Sequence, residues 1–142
     1  MLQAMRVNET LKAILADDEP VRFVLPRELI TTDRVLQRWA VSIGLGLPSE
    51  DWDDTPKAKP PPLSDDVAIV VDECVLKAPP KTRELVSRWY KTPHPVEVMA
   101  RRLRCSARNV YKMHSIALHF MRWRFENTGN VELCRMVRAL EP

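Results

Sequence analysis

The chain has 142 residues, an apolar fraction of 45% and a formal net charge of +3, which suits one domain with a core and excludes wholesale disorder. Three glycines and twelve prolines argue against a β-rich fold with many tight turns and against a glycine-rich phosphate loop. No apolar run approaches the roughly 18 residues of a membrane span, and polar residues interrupt the N-terminus where a signal peptide needs an apolar segment.

The charge is divided unevenly along the chain. Residues 1–66 carry eight Lys/Arg and twelve Asp/Glu, a net −4, whereas residues 67–142 carry fourteen and seven, a net +7. This division predicts either two surfaces with different partners or an acidic half that pairs with a basic half inside one domain.

The first thirty residues are interpreted as an irregular arm. Residues 2–15 could form a short helix, and Val21 to Leu25 could be a strand or an extended segment that Pro26 closes. We therefore divide the chain into an arm of unknown role, residues 1–30, and a single helical domain, residues 31–142.

The first helix of this domain is predicted from about Asp33 to Ile43. Thr31 or Thr32 could cap its N-terminus, and Gly44 and Gly46 are expected to end it. Its predicted apolar face consists of Val35, Leu36, Trp39, Ala40 and Ile43.

Residues 48–63 contain five prolines and no apolar periodicity, so we expect a loop or linker. Trp52 within it would either pack back onto the core or anchor a partner. Ser64 is the expected N-cap of the next helix, and Asp65 and Asp66 suit the positive end of its dipole. The apolar stripe of that helix is Val67, Val70, Val71, Cys74 and Val75.

Two more helices are predicted, one before and one after residues 95–125. Pro79 and Pro80 end the preceding helix, and Pro80 is well placed to begin one that continues to about Lys91. A last short helix is expected from Val131 to Leu140. The predicted inward residues are Leu85, Val86, Trp89 and Tyr90 in the former and Leu133, Met136, Val137 and Leu140 in the latter.

Between these helices, residues 95–125 have the pattern of a helix-turn-helix. Residues 77–124 carry twelve Lys/Arg against two acids, a local charge of +10 that points to nucleic acid. The first helix is expected from about Pro95 to Leu103, with Ala100 small enough for a close helix crossing. The turn, Arg104–Cys105, lacks the glycine that such turns often contain. The inward residues of the first helix are Val96, Met99, Ala100 and Leu103.

The second helix should begin after Ser106, whose side chain would accept a hydrogen bond from the amide of Arg108 or Asn109. Its predicted buried face is Val110, Met113, Ala117, Phe120 and Met121. The opposite face of its first turns would then be free to enter a major groove.

The residue types on that face match known base contacts. Arg108 or Lys112 could bind guanine edges, and Asn109 could bind adenine. The three arginines before the turn would hold phosphates, which position a protein without specifying sequence. Arg122 and Arg124, farther along, could contact the DNA backbone or another protein. The complete predicted DNA-binding set is Arg101, Arg102, Arg104, Ser106, Arg108, Asn109, Tyr111 and Lys112. The alternative is a basic face that is merely solvated.

Enzymatic, metal and cofactor sites are not expected. His114 and His119 are five residues apart rather than the three or four that place two ligands on one helical face, and no serine or cysteine lies in a nucleophile signature. Cys74, Cys105 and Cys134 have no zinc spacing, and their odd number favours a reducing cytosol over a disulfide framework.

The order of these features resembles a known family. The motifs are VLQRWA at 35–40, Trp52 in a variable loop, LSDDVAIVVD at 63–72, RELVSRWY at 83–90 and ARRLRCS at 100–106. Together they resemble the late-gene antiterminators of lambdoid phages, the Q proteins, of the shorter type without zinc-binding cysteines. The similarity covers about residues 33–125, and its last two helices also resemble region 4 of bacterial sigma factors.

The resemblance implies a mostly α fold and a transcription antitermination function in late gene expression. Such proteins bind double-stranded DNA at a late promoter, join paused bacterial RNA polymerase, alone or with its sigma factor, and cause read-through of pauses and terminators from a position at the RNA-exit channel. The expected location is the bacterial host cytoplasm, with no membrane or small-molecule partner. A guess for the polymerase-binding surface is the acidic Trp39–Asp66 region. The alternatives are a sigma-like or activator-type regulator acting at initiation and a protein–protein adaptor that binds no DNA.

Overall fold

The computed structural model describes residues 25–45 and 60–139, and in these residues the fold is mostly helical, as predicted. This part of the chain contains six α-helices and one short π-helical stretch, and no strand. None of the helices within it is long and apolar enough to cross a membrane. The predicted helix at 2–15, the segment 21–24, Gly46, Trp52 and Leu140 lie outside the described residues.

Helix α1, Arg27–Ser42, begins six residues before the predicted start. Pro26 occupies the N-cap position, and its carbonyl accepts from the amide of Leu29 at 2.9 Å. Leu29 is fully buried, so the helix and the core both extend back across the predicted boundary at residue 30.

The prediction that Thr31 or Thr32 caps α1 is wrong. Both threonines are buried inside the helix, and the Thr31 hydroxyl donates to the carbonyl of Val137 at 2.6 Å. A contact made across 106 residues has no signal in the local pattern. Ile43, expected on the buried face, is 41% exposed because the helix ends at Ser42. The predicted stop at Gly44 is confirmed by its φ of +77°, a left-handed conformation that glycine adopts readily.

Helix α2, Asp65–Leu76, begins directly after Ser64 as predicted, but the Ser64 side chain makes no capping hydrogen bond. Helix α3, Pro80–Val86, continues into the π-helical stretch Ser87–Lys91, so the combined segment has the predicted bounds. The π-helical geometry was not predicted. Of the inward residues expected in these helices, Val70 and Trp89 are half-buried and the others are buried.

The remaining three helices are α4, Val96–Leu103, α5, Ala107–Glu126, and α6, Val131–Arg138. Helix α6 is capped by Asn130, whose side chain accepts from the amide of Leu133 at 2.9 Å. Helix α5 contacts all five other α-helices, so it is the centre of the fold rather than a peripheral element. Its buried residues are Val110, His114, Ala117, Leu118, Met121 and Phe125.

The buried face of α5 corrects part of the sequence prediction. Met113 and Phe120, expected to be buried, are half-buried, whereas His114, Leu118 and Phe125 are buried and were not predicted. The observed buried stripe is rotated slightly around the helix relative to the predicted one. The reason is that α5 is contacted by α4 and also by α1, α2, α3 and α6. With five neighbours the buried stripe is wider than one partner helix requires.

Candidate nucleic-acid interface

The connection between α4 and α5 is tight although it contains no glycine. Arg104 lies in the left-handed region, with φ 55° and ψ 47°, where helix C-termini commonly place glycine. The amide of Cys105 donates to the carbonyl of Ala100 at 3.0 Å, which closes the end of α4. Ala100 is 7% exposed, as predicted for an inward residue of this helix. The strained Arg104 therefore does what a glycine does in similar turns.

Helix α5 begins with the predicted serine cap. The Ser106 side chain accepts a hydrogen bond from the amide of Asn109 at 3.1 Å. This bond satisfies one of the four amides that a helix N-terminus leaves without an intrahelical partner. The first turn contains no acidic side chain, so the positive end of the helix dipole is not offset by a carboxylate there.

The predicted DNA-binding residues lie around this turn and, with one exception, are exposed. Arg101 and Arg102 occupy the last turn of α4, where cations also stabilise the helix dipole whether or not DNA is present. The Arg102 guanidinium lies 3.3 Å from Nε2 of His94. The exposed members of the set are Arg101, Arg102, Arg104, Ser106, Arg108, Asn109 and Lys112.

Tyr111 is the exception, because its ring is half-buried. It meets the ring of Trp89 edge to face, with centroids 6.1 Å apart and planes at 66°. Burial, and next the nearby Glu97 carboxylate, raise the pKa of the Tyr111 hydroxyl. Tyr111 thus connects the exposed surface of α5 to the interior.

The charge of the α4–α5 pair is strongly positive at its connecting end. Five cations and one acid, Glu97, occur between Val96 and Lys112, a net +4. Arg122 and Arg124, farther along α5, are half-buried. Arg122 bonds to Glu126 at 3.0 Å and donates to the carbonyl of Glu28, and burial raises the pKa of the Cys74 thiol against a smaller lowering effect of Arg124. The candidate interface therefore ends near the middle of α5.

Beneath this surface lies a polar cluster that the sequence did not reveal. The Tyr90 hydroxyl lies 2.5 Å from Oδ1 of Asp33 and 2.7 Å from Nε2 of His114. Burial lowers the pKa of His114 to about 3 and raises the pKa of Tyr90 well above its ordinary value. Burial also raises the pKa of Asp33, against smaller opposing effects of its hydrogen bonds with Tyr90 and Gln37.

One feature of the sequence could have predicted that His114 is buried. His114 follows Val110 by four residues and precedes Met121 by seven, which is core spacing. Pattern reading by residue type excludes histidine from an apolar stripe, although a histidine with a hydrogen-bond partner can be buried there.

Other kinds of site find little support in the described part of the chain. No group of three or more His, Cys, Asp or Glu side chains there is arranged to hold a metal ion. All three cysteines are free, and burial raises the pKa of Cys74. A cavity of about 430 Å³ lies away from the basic surface, lined by Thr31, Arg34, Val35, Gln37, Arg38, Pro60, Pro61, Met136 and Ala139.

Comparisons of the chain with protein-family models, with curated proteins and with solved structures gave no match.

Proposed function

We propose that this protein is a phage transcription antitermination factor that binds a late-promoter DNA element and RNA polymerase, and promotes read-through of pauses and terminators. The observation that supports it most is the amino end of α5. A serine-capped helix there emerges from a tight turn with exposed cations on both sides and no acid in its first turn.

The DNA part of the proposal assigns two roles to the exposed residues. Arg108, Asn109 and Lys112, on the first two turns of α5, would contact base edges, since the amino end of a recognition helix is the part that enters the major groove. Arg101, Arg102 and Arg104 would hold phosphates on the flanking backbone. Each phosphate contact releases counterions, so affinity should fall steeply as salt rises.

The polymerase part of the proposal rests on the motif resemblance, which gave the Trp39–Asp66 region as a guess for the contact surface. Within the Trp39–Asp66 region, Trp39 is only 1% exposed and is therefore unavailable to a partner. Asp65 and Asp66 are exposed in the first turn of α2. Glu73 is also exposed, about two turns farther along the same helix. Among the described residues of this region, Asp65 and Asp66 in the first turn of α2 are the exposed acidic side chains that could contact polymerase.

Transcription in vitro tests the proposal. The wild-type protein first selects a preferred duplex from a random library, and that duplex is placed upstream of a promoter, a promoter-proximal pause site and an intrinsic terminator. Purified bacterial RNA polymerase is then assayed with and without the protein. We expect terminator read-through to increase only when the selected element is intact.

The other outcomes separate the alternatives. Increased initiation with unchanged termination would instead make the protein an activator or sigma-like factor. Failure to enrich any duplex, combined with no salt-dependent DNA binding, would make it a protein–protein adaptor. Scrambling the selected element in an otherwise identical template is the control for non-specific effects of a basic protein.

A further inference from the structure

The polar cluster beneath α5 joins three separate parts of the chain. Asp33 belongs to α1, Tyr90 to the π-helical stretch and His114 to the buried face of α5. The Tyr90 side chain is 3% exposed and that of His114 is likewise 3% exposed. Buried hydroxyl and imidazole groups such as these need hydrogen-bond partners, since a buried polar group without one costs free energy of folding.

The hydrogen bonds of the cluster have a defined direction. An ionised Asp33 can only accept, so the Tyr90 hydroxyl donates to it across 2.5 Å. The Tyr90 oxygen then accepts from the Nε2–H of neutral His114 at 2.7 Å. Gln37 also donates to Asp33, at 2.9 Å, which holds the carboxylate in place from its own helix.

An aromatic stack extends the cluster to the protein surface. The rings of Trp89 and His114 are parallel to within 6°, with centroids 3.7 Å apart. Trp89 in turn meets Tyr111 edge to face, and Tyr111 lies between Asn109 and Lys112 on the first turns of α5. Two adjacent residues of the π-helical stretch, Trp89 and Tyr90, thus both contact the same histidine. The wider π turn occurs where this double contact is made.

We propose that Tyr90 is a positioning residue for DNA recognition, because its hydroxyl sets the rotation of α5 about its axis through His114. This inference rests on the proposed DNA-binding function and assigns to it a residue that touches no DNA. Packing against the neighbouring helices fixes the axis of α5, and the Tyr90 bond, which requires good alignment, adds a directional restraint on its rotation. The Tyr90 bond therefore helps to determine where the side chains of the opposite face point.

The size of the effect follows from helix geometry. A side-chain tip lies about 6 Å from the helix axis, so a rotation of about 20° moves it roughly 2 Å. Hydrogen bonds to base edges are made within about 2.7–3.2 Å, so such a shift breaks them. The proposed phosphate contacts lie on α4 and the turn, at Arg101, Arg102 and Arg104, so a rotation of α5 leaves them largely in place. Loss of the Tyr90 hydroxyl should accordingly reduce discrimination between DNA sequences more than it reduces non-specific affinity.

The test compares Tyr90→Phe with Thr31→Val. Each variant removes one buried hydroxyl whose hydrogen bond joins α1 to another part of the chain. The Tyr90 hydroxyl bonds to Asp33 of α1, whereas the Thr31 hydroxyl of α1 bonds to Val137 of α6 and is not a member of the cluster. Both should lower the urea midpoint, Tyr90→Phe by more because it breaks two hydrogen bonds and Thr31→Val one. We expect Tyr90→Phe to lose at least tenfold in the affinity ratio between the selected duplex and its scrambled version, and Thr31→Val to lose less than twofold.

Equal loss of discrimination in the two variants, or none in Tyr90→Phe, would overturn the inference. If Tyr90→Phe does not fold, His114→Gln and His114→Leu replace it. Glutamine keeps an N–H donor for Tyr90 and should retain discrimination, whereas leucine should lose it, and equal behaviour of the two would count against a role for the bond.

Failure of the proposed function is distinguishable from failure of this inference. If the wild-type protein prefers no duplex, the DNA-binding proposal falls, and amide exchange decides the positioning claim. Tyr90→Phe should then speed exchange in residues 110–115 of α5 at least tenfold more than Thr31→Val does. Equal exchange in the two variants would remove the positioning claim as well.

Discussion

Helices α2 and α5 both begin directly after a serine, yet their amino ends differ in capping and in charge. Ser106 caps α5 through a 3.1 Å hydrogen bond from Asn109, whereas the Ser64 side chain accepts no such bond. The first turn of α2 carries Asp65 and Asp66, and that of α5 carries no acid. Helix α2 therefore offsets its dipole with its own carboxylates, and α5 does not.

This difference shows that charge, rather than the presence of a helix start, distinguishes the two ends. A polyanion approaching α2 meets Asp65, Asp66 and Glu73, and no cation lies within that helix. The same polyanion approaching α5 meets Arg104, Arg108 and other cations. Of these two helix ends, only that of α5 is suited to DNA, and each prediction below changes one side of this contrast.

The largest effect is expected from removing the two cations proposed to contact base edges. The double variant Arg108→Ala, Lys112→Ala should lose at least about 30-fold in the affinity ratio between selected and scrambled duplexes, because each lost base contact contributes about 1–3 kcal/mol of discrimination. Fluorescence anisotropy with labelled duplexes measures this ratio at fixed salt.

The matched control for this double variant is Asp65→Asn, Asp66→Asn on α2, which should leave the ratio unchanged. Its overall DNA affinity should rise slightly, since two repelling charges are removed. Full discrimination in the α5 double variant would show that the base-reading residues are elsewhere.

The two helices also differ on their buried faces, since α2 buries only apolar side chains and Cys74, whereas α5 buries His114. The pKa of His114 in the folded protein, about 3, lies below the 6.5 of an ordinary histidine. The unfolded chain therefore binds one more proton between these values. Stability from this group is complete above pH 6.5 and is lost as the pH falls towards 3.

We accordingly expect the free energy of unfolding to decrease by up to about 1.4 kcal/mol per pH unit below pH 6. His114→Gln should flatten this slope, and His119→Gln, at an exposed position of the same helix, should not. The raised pKa of Asp33 has the opposite effect on the slope. The folded protein binds a proton at Asp33 more readily than the unfolded chain does, so this group adds stability as the pH falls. Urea unfolding at pH 6.5, 5.5 and 4.5 measures the slope, and parallel slopes in wild type and His114→Gln would contradict the assignment.

The contrast between the two serines also shows which features local sequence can predict. The mostly helical fold, the stop at Gly44, the helix begun by Pro80 and the Ser106 cap were all predicted, because each depends on residues within one or two turns. The Thr31 bond to Val137 spans 106 residues and the Tyr90 bond to Asp33 spans 57. Such contacts follow from how helices pack, and for that reason neither the buried threonines nor the His114 cluster could be predicted.

A smaller effect should separate the two serines directly. Ser106→Ala removes a capping hydrogen bond and should lower the free energy of unfolding by about 1 kcal/mol. Ser64→Ala removes no such bond and should change it by less than about 0.3 kcal/mol. Urea titrations followed by tryptophan fluorescence measure both, and equal losses would mean that Ser64 caps α2 in solution.

The smallest expected change in the free energy of unfolding is at the turn between α4 and α5. Arg104 adopts φ 55°, a conformation that costs a residue with a side chain roughly 1 kcal/mol and glycine almost nothing. Arg104→Gly should therefore raise the free energy of unfolding by about 0.5 kcal/mol, after allowance for the greater freedom of glycine in the unfolded chain. Arg102→Gly is the control, since its position inside α4 should make glycine destabilising by about 1 kcal/mol. Both variants lose one cation, so both should weaken DNA binding a few-fold without altering sequence preference. If Arg104→Gly destabilises the protein as much as Arg102→Gly does, the arginine side chain itself holds the turn, and its strain is offset by contacts rather than tolerated.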